Sequence, residues 1–178
     1  ITEVANETAV LRQKGTREGR LQALGKFQEV IAISKIKQDK VWEVVAVISS
    51  GLICEQLGEM QKSLDFYLKG LQISREIGNR EYEAAALNNL GNNYRMLGEY
   101  EQSIFYLSQA LTIDREINDR QGEAIVLNNL ANCYVLLGDL AKAEELQRQS
   151  LPIRREIKDR RGEGNSLNNL GLVFARRG

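Results

Sequence analysis

The chain repeats itself every 40 residues, and a fixed period of that length admits few architectures. Residues 81–120 and 121–160 are identical at 18 of 40 positions. The common frame is L-N-N-L-x-N-x-Y-x-x-L-G, followed by Q-x-L-x-I-x-R-E-I-x-D-R. Residues 41–80 keep Gly51, Leu57, Gly58, Leu64, Leu71, Ile73, Arg75, Ile77 and Arg80 in register. The frame continues forward into "RGEGNSLNNLGLVFARRG" and backward, faintly, to Leu24, Phe27, Ile31 and Ile33.

Each unit reads as two helices. Leu87, Leu90, Tyr94 and Leu97 recur every three or four residues, as do Ile104, Leu107, Leu111 and Ile113. The "LGE" and "LGD" steps at 97–99 and 137–139 place a glycine where a left-handed residue ends a helix. Asp139 and Asp119 are placed to cap the helices that follow. Helices joined so tightly pack antiparallel. One such hairpin cannot bury its own apolar stripe, so units must stack. Small residues at two repeat positions allow close approach: Gly51, Gly91, Ala131 and Gly171 at one, Gly70, Ala110 and Ser150 at the other. The array spans 1–178 as a divergent repeat at 1–40, repeats at 41–80, 81–120 and 121–160, and a half repeat at 161–178. The last helix is a candidate cap. The single proline, Pro152, falls inside a second helix, where a kink or a helix end is expected.

Charge and composition exclude several functions. There are 24 basic and 24 acidic residues, which argues against a nucleic-acid partner. The ends are mildly basic, and residues 41–150 carry 9 basic and 16 acidic side chains, an imbalance suited to solvated helix faces. Histidine, the commonest general base and metal ligand, is absent. Cys54 and Cys133 lie in apolar helical patterns, as small buried hydrophobes of a reducing compartment, so a cytoplasmic location is expected. No apolar run reaches 18 residues, and no membrane association is expected. The chain begins at Ile1, which suggests a piece of a larger protein.

Leu90, Gly91 and Tyr94 in the first helix, with Ser103, Leu107 and Ala110 in the second, make the chain resemble the tetratricopeptide repeat. The longer period, with its second helix extended through "REI", is similar to the repeats of kinesin light chains, Pins-type adaptors and bacterial signalling arrays. The resemblance implies an all-α, right-handed α-solenoid of about nine helices. It also implies a concave face lined by the first helices, where family members hold an extended peptide.

Within a first helix Asn88, Asn92 and Arg95 form one stripe, separate from the apolar one. Asn128, Asn132 and Asn168 are their counterparts in later units. By the resemblance these are the groove residues. An amide offers both donors and acceptors to a peptide main chain, and arginine can take a carboxylate bidentately. Asn89, Asn129 and Asn169 lie about 100° further round the helix and are assigned to bonding between repeats. Ile48 and Leu52 replace the amides in the repeat at 41–80 and would select a hydrophobic anchor.

No phosphate-binding loop, nucleophile elbow or metal motif is present in the sequence, so no catalytic residue, metal site or cofactor is expected. The expected function is protein or peptide binding as the interaction arm of a larger protein. The alternative is a structural array that self-assembles or acts as a spacer. Leu172, Val173 and Phe174 on the terminal helix 161–177, with Arg154, Arg155, Arg160, Arg161, Arg176 and Arg177 nearby, offer a surface for a homo-oligomer.

Overall fold

The computed structural model describes residues 16–177. Eight helices follow one another: α1 (Arg17–Ile36), α2 (Lys40–Gln56), α3 (Met60–Glu76), α4 (Arg80–Met96), α5 (Tyr100–Glu116), α6 (Arg120–Leu137), α7 (Leu140–Glu156) and α8 (Arg160–Arg177). The fold is all-α, as the repeat requires. The first helix of the divergent 1–40 unit falls on residues outside those described.

Local chemistry sets the helix ends. Asp39, Asp119 and Asp139 each accept a backbone N–H from Trp42, Gly122 and Lys142, which satisfies one of the orphan donors of a first turn. Asn79 does the same for Tyr82 at 3.0 Å. The exits are more regular than the sequence suggests. Gln38, Gly58, Gly78, Gly98, Asn118, Gly138 and Lys158 all have positive φ and stand twenty residues apart. The 40-residue unit is therefore two half-units, each closed by one left-handed residue. Gly138, at φ 84°, adopts this conformation without a Cβ penalty. Lys158, at φ 59°, does not.

The chain divides into two compact units, residues 1–89 and 90–178. In the first, α1 packs on α2 and α2 on α3. Ala23, Phe27, Val30, Ala46 and Ile53 form one buried cluster, and Val44, Val47 and Ile73 another. A Cβ on Gly51 would lie 2.6 Å from the Tyr67 ring, and one on Gly70 would lie 2.7 Å from Ile48. In the second unit α5, α6, α7 and α8 pack in sequence. There Leu107, Leu127, Ala131 and Val173 are fully buried, and a Cβ on Gly91 would lie 2.5 Å from Leu107. Each large apolar side chain so enclosed contributes about 1.5–3 kcal/mol.

The recurrent "REI-x-D/N-R" segment acquires a physical role. Glu83 accepts from Arg75 Nε at 2.8 Å and Arg80 Nη1 at 2.7 Å. Glu123 accepts from Arg115 Nε at 2.8 Å and also from Arg120. Glu163 accepts from Arg155 Nε at 2.7 Å. Each glutamate ties the end of one second helix to the start of the next first helix. Burial alone would push Glu83 up, but the two guanidiniums outweigh it and hold the carboxyl below its ordinary range.

Of the two outcomes expected at Pro152, a kink or a helix end, the second does not occur. The helix does not end there: α7 runs on to Glu156 with the proline inside it. Proline contributes no N–H, so one rung of the ladder is lost, but Ile153 and Arg154 behind it are buried and hold the last turn in place.

Candidate functional site

The two units carry different versions of the first-helix stripe. In the first unit Ile48 and Leu52 are half-buried on α2. Ile48 lies over Gly70 and joins the cluster around Val44 and Ile73, so it packs α2 on α3 as well as lining the surface. Glu55, one turn on, accepts the Tyr67 hydroxyl at 3.1 Å. Burial and the Glu55 carboxylate push that phenol well above its usual range, and it stays protonated. Asn88 and Asn89 are both half-buried on α4.

The second unit holds an amide cluster built from α6, α7 and α8. Asn169 donates from Nδ2 to Asn128 Oδ1 at 2.9 Å and to Asn132 Oδ1 at 3.3 Å. Gln147, on α7, donates to the same Asn128 oxygen at 3.0 Å. The Asn128 oxygen thus accepts from two protein amides. Asn128, Asn129, Asn132 and Asn169 are half-buried, whereas Asn168 is exposed. Asn92 is also half-buried and accepts from Arg95 Nη2 at 2.7 Å. Tyr94, between them in sequence, stacks on Tyr106 of α5 with ring centroids 5.3 Å apart, and Phe105 meets Tyr106 edge-on.

Gln147 did not emerge from the sequence stripe because it belongs to a second helix. A signal was available. Tyr67 and Leu107 occupy its repeat position, so a glutamine there breaks an apolar column. At 1 % exposure it needs a partner, and Asn128 supplies one.

The arrangement offers amide donors and acceptors and one guanidinium. Cys54 and Cys133 are free thiols, and burial raises both above the ordinary thiol range, which suppresses the nucleophilic thiolate. Among the described residues no group of three or more His, Cys, Asp or Glu side chains is placed to hold a metal ion, and no helix is long and apolar enough to cross a membrane.

Comparison with known proteins agrees with this architecture. The tetratricopeptide repeat family model matches residues 45–116 and 122–178, and the chain belongs to that family. No curated protein matches it significantly in sequence. Among solved structures it is similar to BtubC (BKLC) from P. vanneervenii, with 24% identity and a TM-score of 0.78 over 98% of this chain and 71% of that one. It also superposes on a signal transduction ATPase with a tetratricopeptide repeat sensor from Pyrococcus horikoshii, with 20% identity and a TM-score of 0.82 over 98% of this chain and 27% of that one. A third likeness is to a Rap protein complexed with competence and sporulation factor, with 18% identity and a TM-score of 0.81 over 97% of this chain and 53% of that one. At these identities the likenesses show the fold. A tetratricopeptide repeat array is a scaffold for protein interaction.

Proposed function

We propose that the chain binds an extended peptide or protein segment through the first-helix stripes of its units, without chemistry of its own, as the docking arm of a larger protein. In the second unit the contacts are Asn92, Arg95, Asn128, Asn132 and Asn168, and in the first they are Ile48, Leu52 and Asn88. Asn89, Asn129 and Asn169 hold neighbouring helices together. The observation that carries this reading is the amide cluster itself. Asn169 and Gln147 converge on Asn128 and hold it in one orientation, while Asn168, on the same helix as Asn169, stays exposed. A pre-oriented amide loses little entropy when it meets a peptide bond. The complex of a Rap protein with competence and sporulation factor is consistent with such use of the fold.

The test is a peptide-library screen on the wild type, followed by titration of the best binder against Asn132→Ala/Asn168→Ala and against Asn88→Ala. A loss of about tenfold or more in either, with unchanged thermal unfolding, supports the groove. Asn128→Ala serves as the structural comparison, because it also strands Gln147 and Asn169. A spacer without a peptide ligand predicts no saturable binder, or one indifferent to every amide.

A further inference from the structure

Between α1, α2 and α3 the first unit holds a cleft of about 390 Å³, a size typical of small-molecule sites. Leu24 and Gln28 form one wall, Phe66 and Lys69 the other, and buried Cys54 the floor. Repeat position explains the space. Tyr94 and Tyr134 stand where Cys54 stands, and Tyr106 stands where Phe66 stands. In the repeat at 81–120 the two rings stack, with centroids 5.3 Å apart and planes 6° from parallel. The repeat at 41–80 keeps one ring of that pair, the half-buried Phe66, and has a thiol in place of the other. The copy in 81–120 is filled by a side chain of the repeat itself, so the gap at Cys54 lies inside one repeat. Residues 1–15 contain no aromatic side chain that could supply the ring.

A second mismatch falls in the same cleft. Arg115 Nη2 donates to Gln149 Oε1 at 3.2 Å. The corresponding residues in the first unit are Lys35 and Lys69, so a cation stands where the acceptor stands at 149. Burial first, and then the Lys35 ammonium, hold the Lys69 amine below the ordinary lysine range, and Glu43 offsets only part of this. The other charges on the rim have partners. Lys62 pairs with Glu59 at 2.9 Å, and Asp65 accepts from Gln61 at 3.5 Å. Lys62, Phe66 and Lys69 are spaced four and three apart on α3, which sets the Lys69 ammonium one turn from the ring.

We propose that this cleft binds a small aryl carboxylate of one ring, with the ring stacked on Phe66 above Cys54 and the carboxylate on Lys69. The ring restores the aromatic pair that Tyr94 and Tyr106 form, and the carboxylate supplies the acceptor that Gln149 supplies to Arg115. The site shares no residue with the first-helix stripe, so it stands or falls apart from peptide binding.

The probes are phenylacetate and its uncharged analogue phenylacetamide, titrated into the whole chain and followed by NMR shifts of the protein. Phenylacetate should saturate with a Kd of about 1 mM or below, as suits a ligand of its size, and should shift resonances of Phe66, Cys54 and Lys69. Phenylacetamide should bind about tenfold more weakly. Cys54→Tyr, which places the ring of positions 94 and 134 in the cleft, should abolish both. Lys69→Gln, the residue at 109 and 149, should bring phenylacetate down to the level of phenylacetamide and leave phenylacetamide unchanged. A melt of each variant separates loss of the site from loss of folding, and Lys69→Gln keeps the test open should Cys54→Tyr fold poorly. No saturation up to about 10 mM, shifts confined to residues outside the cleft, or equal affinity for the two probes overturns the proposal. So does binding of N-acetyltyrosine amide in preference to phenylacetate, because a partner's side chain would then be the guest, and so does a dimer of the chain that Phe66→Ala dissociates.

Discussion

A Cβ on Gly122 would lie 2.8 Å from the carboxyl group of Asp114, so only glycine leaves room for that side chain at the α5–α6 junction. Asp114 is 3 % exposed. Burial first, then the carboxylates of Asp119 and Glu123, push its carboxyl up from 3.8 to about 7. The folded state therefore holds this proton where the unfolded chain has released it. The Asp114 contribution to stability falls as pH rises from about 4 to about 7, and stays flat above. Asp114→Ser, the residue at positions 34 and 74, should raise the unfolding free energy measured in urea at pH 8 by on the order of a few kcal/mol and change little at pH 4. An equal gain at both pH values would refute the ionisation account.

The same position in the next 40-residue repeat carries the opposite charge. Arg154 binds Asp159 and donates to the Ala124 carbonyl at 3.2 Å, and Gly162 makes room as Gly122 does. Asp119 corresponds to Asp159. Asp114→Arg should therefore be accommodated and should stabilise the chain at neutral pH, read as a higher melting temperature than wild type. A fall in melting temperature would show that the repeat at 81–120 lacks the space that the repeat at 121–160 has.

Glu123 draws two arginines from two helices onto one carboxylate with 8 % of its side chain exposed. Glu123→Gln keeps the shape and removes the charge. The expected loss is about 1–3 kcal/mol in denaturant unfolding, since charge-assisted bonds at a nearly buried acceptor are broken. For Glu83, whose carboxyl is held low, the stabilisation is present above the ordinary glutamate pKa and disappears as pH falls through its depressed folded value. A Glu83→Gln variant should therefore converge on wild type at low pH.

Lys158 occupies a left-handed backbone position that glycine fills at 58, 78, 98 and 138. Lys158→Gly should stabilise the chain by roughly 0.5–1 kcal/mol, because the Cβ strain removed exceeds the added flexibility of the unfolded chain. Thermal unfolding reads this directly, and a lower melting temperature would contradict it.

Gly91 sits beneath Leu107, and an added methyl group would press on Leu107 at 2.5 Å and on the Ser103 carbonyl oxygen at 3.1 Å. Gly91→Ala should cost about 1–3 kcal/mol through overpacking. Gly171→Ala, with nothing within 4 Å, should be neutral or better in the isolated chain, since alanine favours a helix interior. The contrast between two glycines at one repeat position is measurable in parallel melts.

The sequence by itself determined the helices, their pairing and their order. Those rest on local rules: apolar spacing, aspartate caps, left-handed exits and a 40-residue echo of each. Asp119 and Asp139 cap as their positions demand, and Gly98 and Gly138 turn as expected. Tertiary structure alone decided which side chains meet across helices. Gln147 and Asn169 both donate to Asn128 although 19 and 41 residues separate them from it, and Arg115 reaches Glu123 across a turn. It also decided that α7 continues through Pro152, because burial of Ile153 and Arg154 outweighs one missing rung. Asp114 was legible only as a polar residue in a helical pattern. Its perturbed proton arises from Asp119, Glu123 and a glycine gap that come together only when α5 and α6 pack.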